Sequence, residues 1–158
     1  MLPGLEPVDT PPGSINPMSK AWFASGLQSP LLFHALVYAG SNHLDFMRTQ
    51  NIYPNAPKPL EHKLIVIQSL NKALSDPKLA TRDEIILAIL ILASQEVFIS
   101  KRGPRTPFNS PLKSLGLLNV YGCFKFVEQH SKAVAEIVMM RGGLENLELY
   151  GLAWIISA

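Results

Sequence analysis

Apolar side chains return every three or four residues through most of this chain, the period of helices that bury one face each. Leu32, Ala35, Leu36, Ala39, His43, Phe46 and Met47 fall on one such face, with Asn42, Asp45 and Arg48 off it. Ser29 is placed to cap that helix, and Pro30 suits its first position, where a missing N–H costs nothing. Pro54, Pro57 and Pro59 break the next stretch, and Pro59 opens a second long helix whose buried stripe is Leu60, Leu64, Ile67, Leu70 and Leu74. Asp76-Pro77 ends it, because the residue before a proline is pushed out of the helical region. Thr81-Arg82-Asp83-Glu84 then reads as a capping box, with two acids in the first turn where the helix dipole favours them.

The third helix, Ile85 to Ile99, begins with nine apolar residues in succession, Ile85 to Ala93. A run that short also fits a buried strand, but the capping box and the continuation through Ser94-Gln95-Glu96-Val97-Phe98 favour a helix. It falls well short of the roughly 18 apolar residues of a membrane span, so it is expected at the centre of the core, with no membrane role. A fourth helix is expected from about Leu117 to Arg141, with Phe124, Val127, Val134, Ile137 and Val138 inward. Its other face carries Lys125, Glu128, Lys132 and Glu136, where Glu128–Lys132 and Lys132–Glu136 stand at supportive spacing. Gly142 suits the left-handed residue beyond that helix, and a last helix follows from about Glu145. No repeat of fixed period and no heptad run stands out. The expected fold class is all-α: four to five helices packed as an irregular bundle or stack around the apolar helix near Ile85–Ile99.

Residues 1–19 hold Pro3, Pro7, Pro11, Pro12 and Pro17 and read as a disordered, proline-rich tail. A single helical domain is expected over residues 20–158, opening with a short helical turn, Lys20 to Gly26, that packs through Trp22 and Phe23. Lys101 to Lys113 carries three prolines and four cations; Lys101, Arg102 and Arg105 are similar to a nuclear-import or nucleic-acid patch, but Gly103 and Pro104 interrupt them, as in an ordinary solvated loop.

Of the 158 residues, 47% are hydrophobic and 16% charged, against a usual charged share of about 25%. The composition favours burial. A formal charge of +2 is far from the basic surplus of a domain that neutralises phosphates, so sequence-specific duplex DNA is not expected as a direct ligand. The first residues lack the cationic head and apolar stretch of a secretory signal. Cys123, the one cysteine, has apolar neighbours and no adjacent base, which suits core packing in a reducing compartment.

Chemistry-bearing patterns are sparse. There is no nucleophile elbow, glycine-rich phosphate loop or paired-histidine metal motif, and His34, His43, His62 and His130 lack the spacing of a metal-ligand set. No catalytic residue, metal or cofactor is expected. Asp83 and Glu84 are explained by the helix start rather than by acid–base work. His130, between Val127 and Val134 on the apolar stripe, is expected to be largely buried as a neutral, hydrogen-bonded imidazole. Arg141 extends the same face and can pair with Glu145 or bond the last carbonyls of its helix.

His130 to Leu144 reads HSKAVAEIVMMRGGL, a helix ending in Arg141-Gly142-Gly143-Leu144. This segment resembles the regulatory domain of fungal-specific transcription factors. Ser29 to Leu44 (SPLLFHALVYAGSNHL) is similar to the helix that opens such domains, and His62 to Leu92, with LNKALSDP and DEIILAILIL, to the two that follow. The resemblance spans roughly residues 20–157. It implies a non-enzymatic interaction module of a transcription regulator, in the nucleus or otherwise the cytoplasm, with His130, Arg141, Gly142, Gly143 and Leu144 as a structural corner. The family's six-cysteine DNA-binding zinc cluster cannot form with Cys123 alone. Family domains are normally longer, so these residues are expected to form the N-terminal part of one. Leu149, Leu152, Ala153, Trp154, Ile155 and Ile156 crowd the last ten residues, and Leu152, Trp154 and Ile155 are expected to bind a protein partner or a second copy. The competing expectation is a helical small-molecule-binding or enzymatic domain with a pocket near His43, His130 and Arg141.

Overall fold

The structure is a computed structural model that describes residues 15–49, 56–97, 124–125 and 127–157. Among them are seven α-helices: α1 (Pro17–Gln28), α2 (Pro30–Thr49), α3 (Pro57–Leu74), α4 (Pro77–Ala80), α5 (Asp83–Ser94), α6 (Glu128–Arg141) and α7 (Leu152–Ser157). A 3₁₀ turn, Leu144–Asn146, lies between the last two. The only strand pairing among the described residues is a two-residue antiparallel contact, β1 (Glu96–Val97) with β2 (Phe124–Lys125). The chain is all-α. Five of the helices have 12 residues or more, and α4 and α7 are short.

The apolar run forms the centre as expected. Ile85 to Ile89 and Ile91 to Ala93 are all buried, and α2, α3, α4 and α6 pack against α5, while α1 lies on α2. Leu32 and Ala35 from α2, Val66 and Leu70 from α3, and Val134, Ile137 and Val138 from α6 complete the cluster. Leu152 of α7 is also fully buried there.

Element boundaries differ from the sequence reading for identifiable reasons. The central helix stops at Ser94 and does not run to Ile99: Gln95 leaves the helix, and Glu96 and Val97 enter the ladder. The Gln95 carbonyl accepts from the Tyr38 hydroxyl at 3.1 Å, which fixes the exit point. The fourth long segment does not begin near Leu117. Phe124 and Lys125 pair with β1, Val127 is extended and α6 starts at Glu128; residues 117–123 lie outside the described set. The capping box does not form, since Arg82 is the N-cap without a side-chain bond. α4 intervenes, and the Thr81 hydroxyl turns back to the Pro77 carbonyl at 3.5 Å. Glu84 pairs instead with Arg82 at 2.7 Å.

At the N-terminal side α1 begins at Pro17, ahead of the expected Lys20. Asn16 is its cap, the side-chain oxygen accepting from the amides of Met18 (2.8 Å) and Ser19 (3.2 Å). Residues 1–14 lie outside the described set. Phe23 is exposed, and Trp22 is the half-buried packing residue. The α2 face is also rotated from expectation. Asn42 is buried at 5% exposure, and Met47, expected inward, is exposed.

The largest departure is in α3. Pro59, Val66, Leu70 and Ala73 face inward, whereas Leu64, Ile67 and Leu74 are exposed. At 100° per residue the buried four share one edge of the helix, and the exposed three lie about a third of a turn away. Of the expected stripe, Leu70 alone lies in the buried core.

Candidate functional site: an arginine–aspartate corner

The segment that ends α6 turns sharply. Gly142 takes φ 97° and ψ 12°, the left-handed residue that the sequence places there. The Gly143 amide donates to the Val138 carbonyl and the Gly142 amide to Met139, each at 3.0 Å. Together these bonds are a Schellman closure, which satisfies carbonyls that a helix end otherwise leaves open. Gly143 follows at φ 119°, a region costly for any side chain. Two glycines in succession therefore reverse the chain within two residues and send Leu144 back against the core.

The reversal puts the Arg141 guanidinium against the start of α5. Its Nε donates to the Asn146 carbonyl and its Nη1 to the Thr81 carbonyl, both at 2.7 Å. Nη1 also lies 2.9 Å from Asp83 Oδ1, with both side chains largely buried. That contact is an ion pair without an aligned hydrogen bond, because Oδ1 receives no N–H in line. Asp83 Oδ2 accepts from the backbone amides of Glu148 (2.7 Å) and Leu149 (2.6 Å). One carboxylate and one guanidinium thus tie together the α4–α5 turn, the end of α6 and the segment after the 3₁₀ turn.

This clamp was not legible in the sequence. Asp83 was fully accounted for by the helix dipole, and Arg141 had nearer candidates in Glu145 and its own last carbonyls. Partners some 60 positions away leave no local signal. Chemically, Arg141 Nε and Nη1 and Asp83 Oδ2 are spent on the fold, while Asp83 Oδ1 has the ion pair with Arg141 and no hydrogen bond.

A second anchor lies beside it. Trp22 Nε1 donates to the Tyr150 carbonyl at 3.0 Å. Gly151, at φ 78°, passes so close to Met18 that a Cβ would stand 2.6 Å from its Sδ. The C-terminal segment therefore folds onto α1. Leu152, expected to face a partner, is instead core, while Ile155 is half-buried and Trp154 is 39% exposed.

His130 sits in the first turn of α6 and is half-buried rather than largely buried. His43 is half-buried on α2. The bonds of Arg141 reach neither, so no cluster of the three is tied together. The structure instead joins two histidines that their spacing had set apart: His34 Nδ1 and His62 Nδ1 are 2.7 Å apart across the α2–α3 contact. Phe33 meets the His34 ring edge-on. Among the described residues no three His, Cys, Asp or Glu side chains gather as a metal site, and no helix is long and apolar enough to cross a membrane.

A helical stack built on α5 is the all-α architecture that the apolar periodicity implied. The family model of the fungal specific transcription factor domain matches residues 3–106, and the chain belongs to that family. Asp83 lies inside the matched span, while Arg141 to Leu144 lie beyond it. Neither the curated proteins nor the solved structures contain a match to the chain.

Proposed function

We propose that the chain is a non-enzymatic interaction module of a transcription regulator, working in the nucleus, that contributes protein contacts and no sequence-specific DNA reading of its own. Family membership supports the regulatory role. The observation that carries the interaction role is the C-terminal helix: Leu152 anchors it in the core, while Trp154 and the neighbouring Tyr150 present large aromatic surface to solvent. Aromatic side chains held on a fixed backbone make effective binding anchors, since little freedom remains to be lost on docking. The partner surface is therefore Trp154 and Ile155 with Tyr150, and Leu152 serves to hold the helix in place.

The test tethers the chain to an unrelated DNA-binding domain upstream of a reporter. The expected result is a change in transcription that the pair Trp154→Ser and Ile155→Ser abolishes while the melting temperature stays within a few degrees. A reporter unmoved by the wild-type chain, or one indifferent to the substitutions, would overturn the proposal.

A further inference from the structure

Where α2 meets α3, two half-buried imidazoles face each other nitrogen to nitrogen. His34 Nδ1 and His62 Nδ1 stand 2.7 Å apart, and the ring centroids are 5.0 Å apart. The second distance is the first plus little more than the two ring radii, so the nitrogens point at each other and the rings are not stacked. Phe33 meets the His34 ring edge-on at 5.7 Å and gives its plane a second contact. At this range one Nδ1 must carry a hydrogen and the other must offer its lone pair. Two neutral imidazoles meet that condition, each having one N–H and one lone pair. A first added proton leaves the bond in place: it goes to Nε2 of the donor ring, and the Nδ1–H of an imidazolium is the stronger donor. A second proton has no such site. The remaining lone pair is the accepting Nδ1 itself, so protonating it sets two N–H groups and two positive charges head to head.

We propose that His34 and His62 form a proton-operated latch between α2 and α3, closed with no added proton or one and opened when both imidazoles are charged. The surroundings do not offset the second charge. Among the described residues no carboxylate is bonded to either ring. On α3, Lys58 lies one turn before His62 on the same side, whereas Glu61, adjacent in sequence, projects from a different side; Lys63 is held over the Tyr38 ring, 6.0 Å from its centroid. His43, Asp45 and Arg48 on α2 and Lys72 on α3 are more than about two turns away. α1, packed on α2, brings Lys20 alone. α4, packed on α3, brings Lys78, and Asp76 before it caps that helix. From α5, Asp83 and Glu84 are paired with Arg141 and Arg82. Because the opened state binds one proton more than the closed one, the latch holds at neutral pH and weakens as pH falls, by up to about tenfold per pH unit in the closing equilibrium. Val66 and Leu70, buried one and two turns beyond His62 on the same side of α3, mark the face that opening loosens.

The test is a pH series on the full 158-residue chain between about pH 7.5 and 5, the span in which imidazoles change charge. Urea unfolding of the wild type, His34→Ala, His62→Ala and the double variant gives the coupling between the two side chains, from which titrating groups common to all four cancel. A coupling of about 2–10-fold in the unfolding equilibrium, the worth of one hydrogen bond, is expected at about pH 7.5. At about pH 5 it should vanish or change sign. His34→Gln supplies a hydrogen-bonding partner that does not titrate, and it should abolish the acid loss of hydrogen-exchange protection expected at the Val66 and Leu70 amides of the wild type. Nitrogen NMR of the wild-type imidazoles decides the matter even if an alanine variant does not fold. It should find one Nδ1 protonated and the other bare at neutral pH, and both protonated only where protection of α3 falls. The inference fails if the coupling is absent at neutral pH or unchanged in acid. It also fails if neither Nδ1 carries a hydrogen at neutral pH, or if both become protonated while the Val66 and Leu70 amides stay protected.

Discussion

Replacing Arg141 by alanine removes one side chain and disturbs three separate segments. The Thr81 and Asn146 carbonyls each lose a 2.7 Å donor, and Asp83 keeps its charge in a largely buried position without its cation. Removing one member of a buried pair costs about 3–5 kcal/mol, chiefly because the other charge stays behind. That figure is for removing the whole side chain and so already includes the two carbonyl bonds, with water returning part of the loss at the exposed Asn146 end. The net expectation is a loss of about 3–5 kcal/mol, set against a total stability of about 5–15 kcal/mol for a domain. Arg141→Lys keeps the charge but, as a point donor, cannot span Asn146, Thr81 and Asp83 together, so about half the loss is expected. Urea unfolding followed by circular dichroism measures both, and an unchanged slope shows that stability alone has moved. A cycle with Asp83→Asn should return a coupling of about 1–3 kcal/mol. If Arg141→Ala stays within about 1 kcal/mol of wild type, or the coupling vanishes, the corner is not a clamp.

Three further outcomes follow from the fold and the charge of the chain. Gly142→Ala should destabilise by about 1 kcal/mol because of its positive φ, whereas Gly40→Ala, in mid-α2 with open space around its Cβ, should stabilise by about 0.5–1 kcal/mol; equal shifts in denaturant midpoint would contradict this. Gly26→Ala should be worse tolerated than Gly40→Ala, since a Cβ there meets Leu36 Cδ1 at 2.8 Å. On α3, Leu70→Ala should cost about 2–5 kcal/mol and the exposed Leu64→Ala less than about 0.5 kcal/mol in the monomer; thermal melts at low micromolar concentration that rank them the other way would refute the face assignment. Finally, the formal charge of +2 predicts only weak, salt-sensitive DNA association, and a gel-shift titration showing sequence preference at physiological salt would overturn it.

The sequence by itself determined what depends on neighbours along the chain. Ile85 to Ala93 had too much apolar surface to lie anywhere but the middle, and Gly142 after Arg141 could close a helix only in the left-handed region, so both were legible. The Glu128–Lys132 pair, one helical turn apart, formed as its spacing requires, at 2.9 Å. What tertiary structure decided are the choices between equally good local options. α3 carries enough large apolar residues for two faces, and only the position of α2 and α5 selects Val66 and Leu70 over Leu64 and Ile67. The capping box at Thr81 was a sound local solution, displaced because α4 claims the threonine and a distant segment claims Asp83. Arg141 had satisfactory partners close by, yet the glycine turn carries it to carbonyls and a carboxylate from another part of the chain. His34 and His62 meet only because two helices cross. Periodicity and backbone strain are written residue by residue, whereas a helix's choice of buried face and a charge's choice of partner exist only once the other elements are in place.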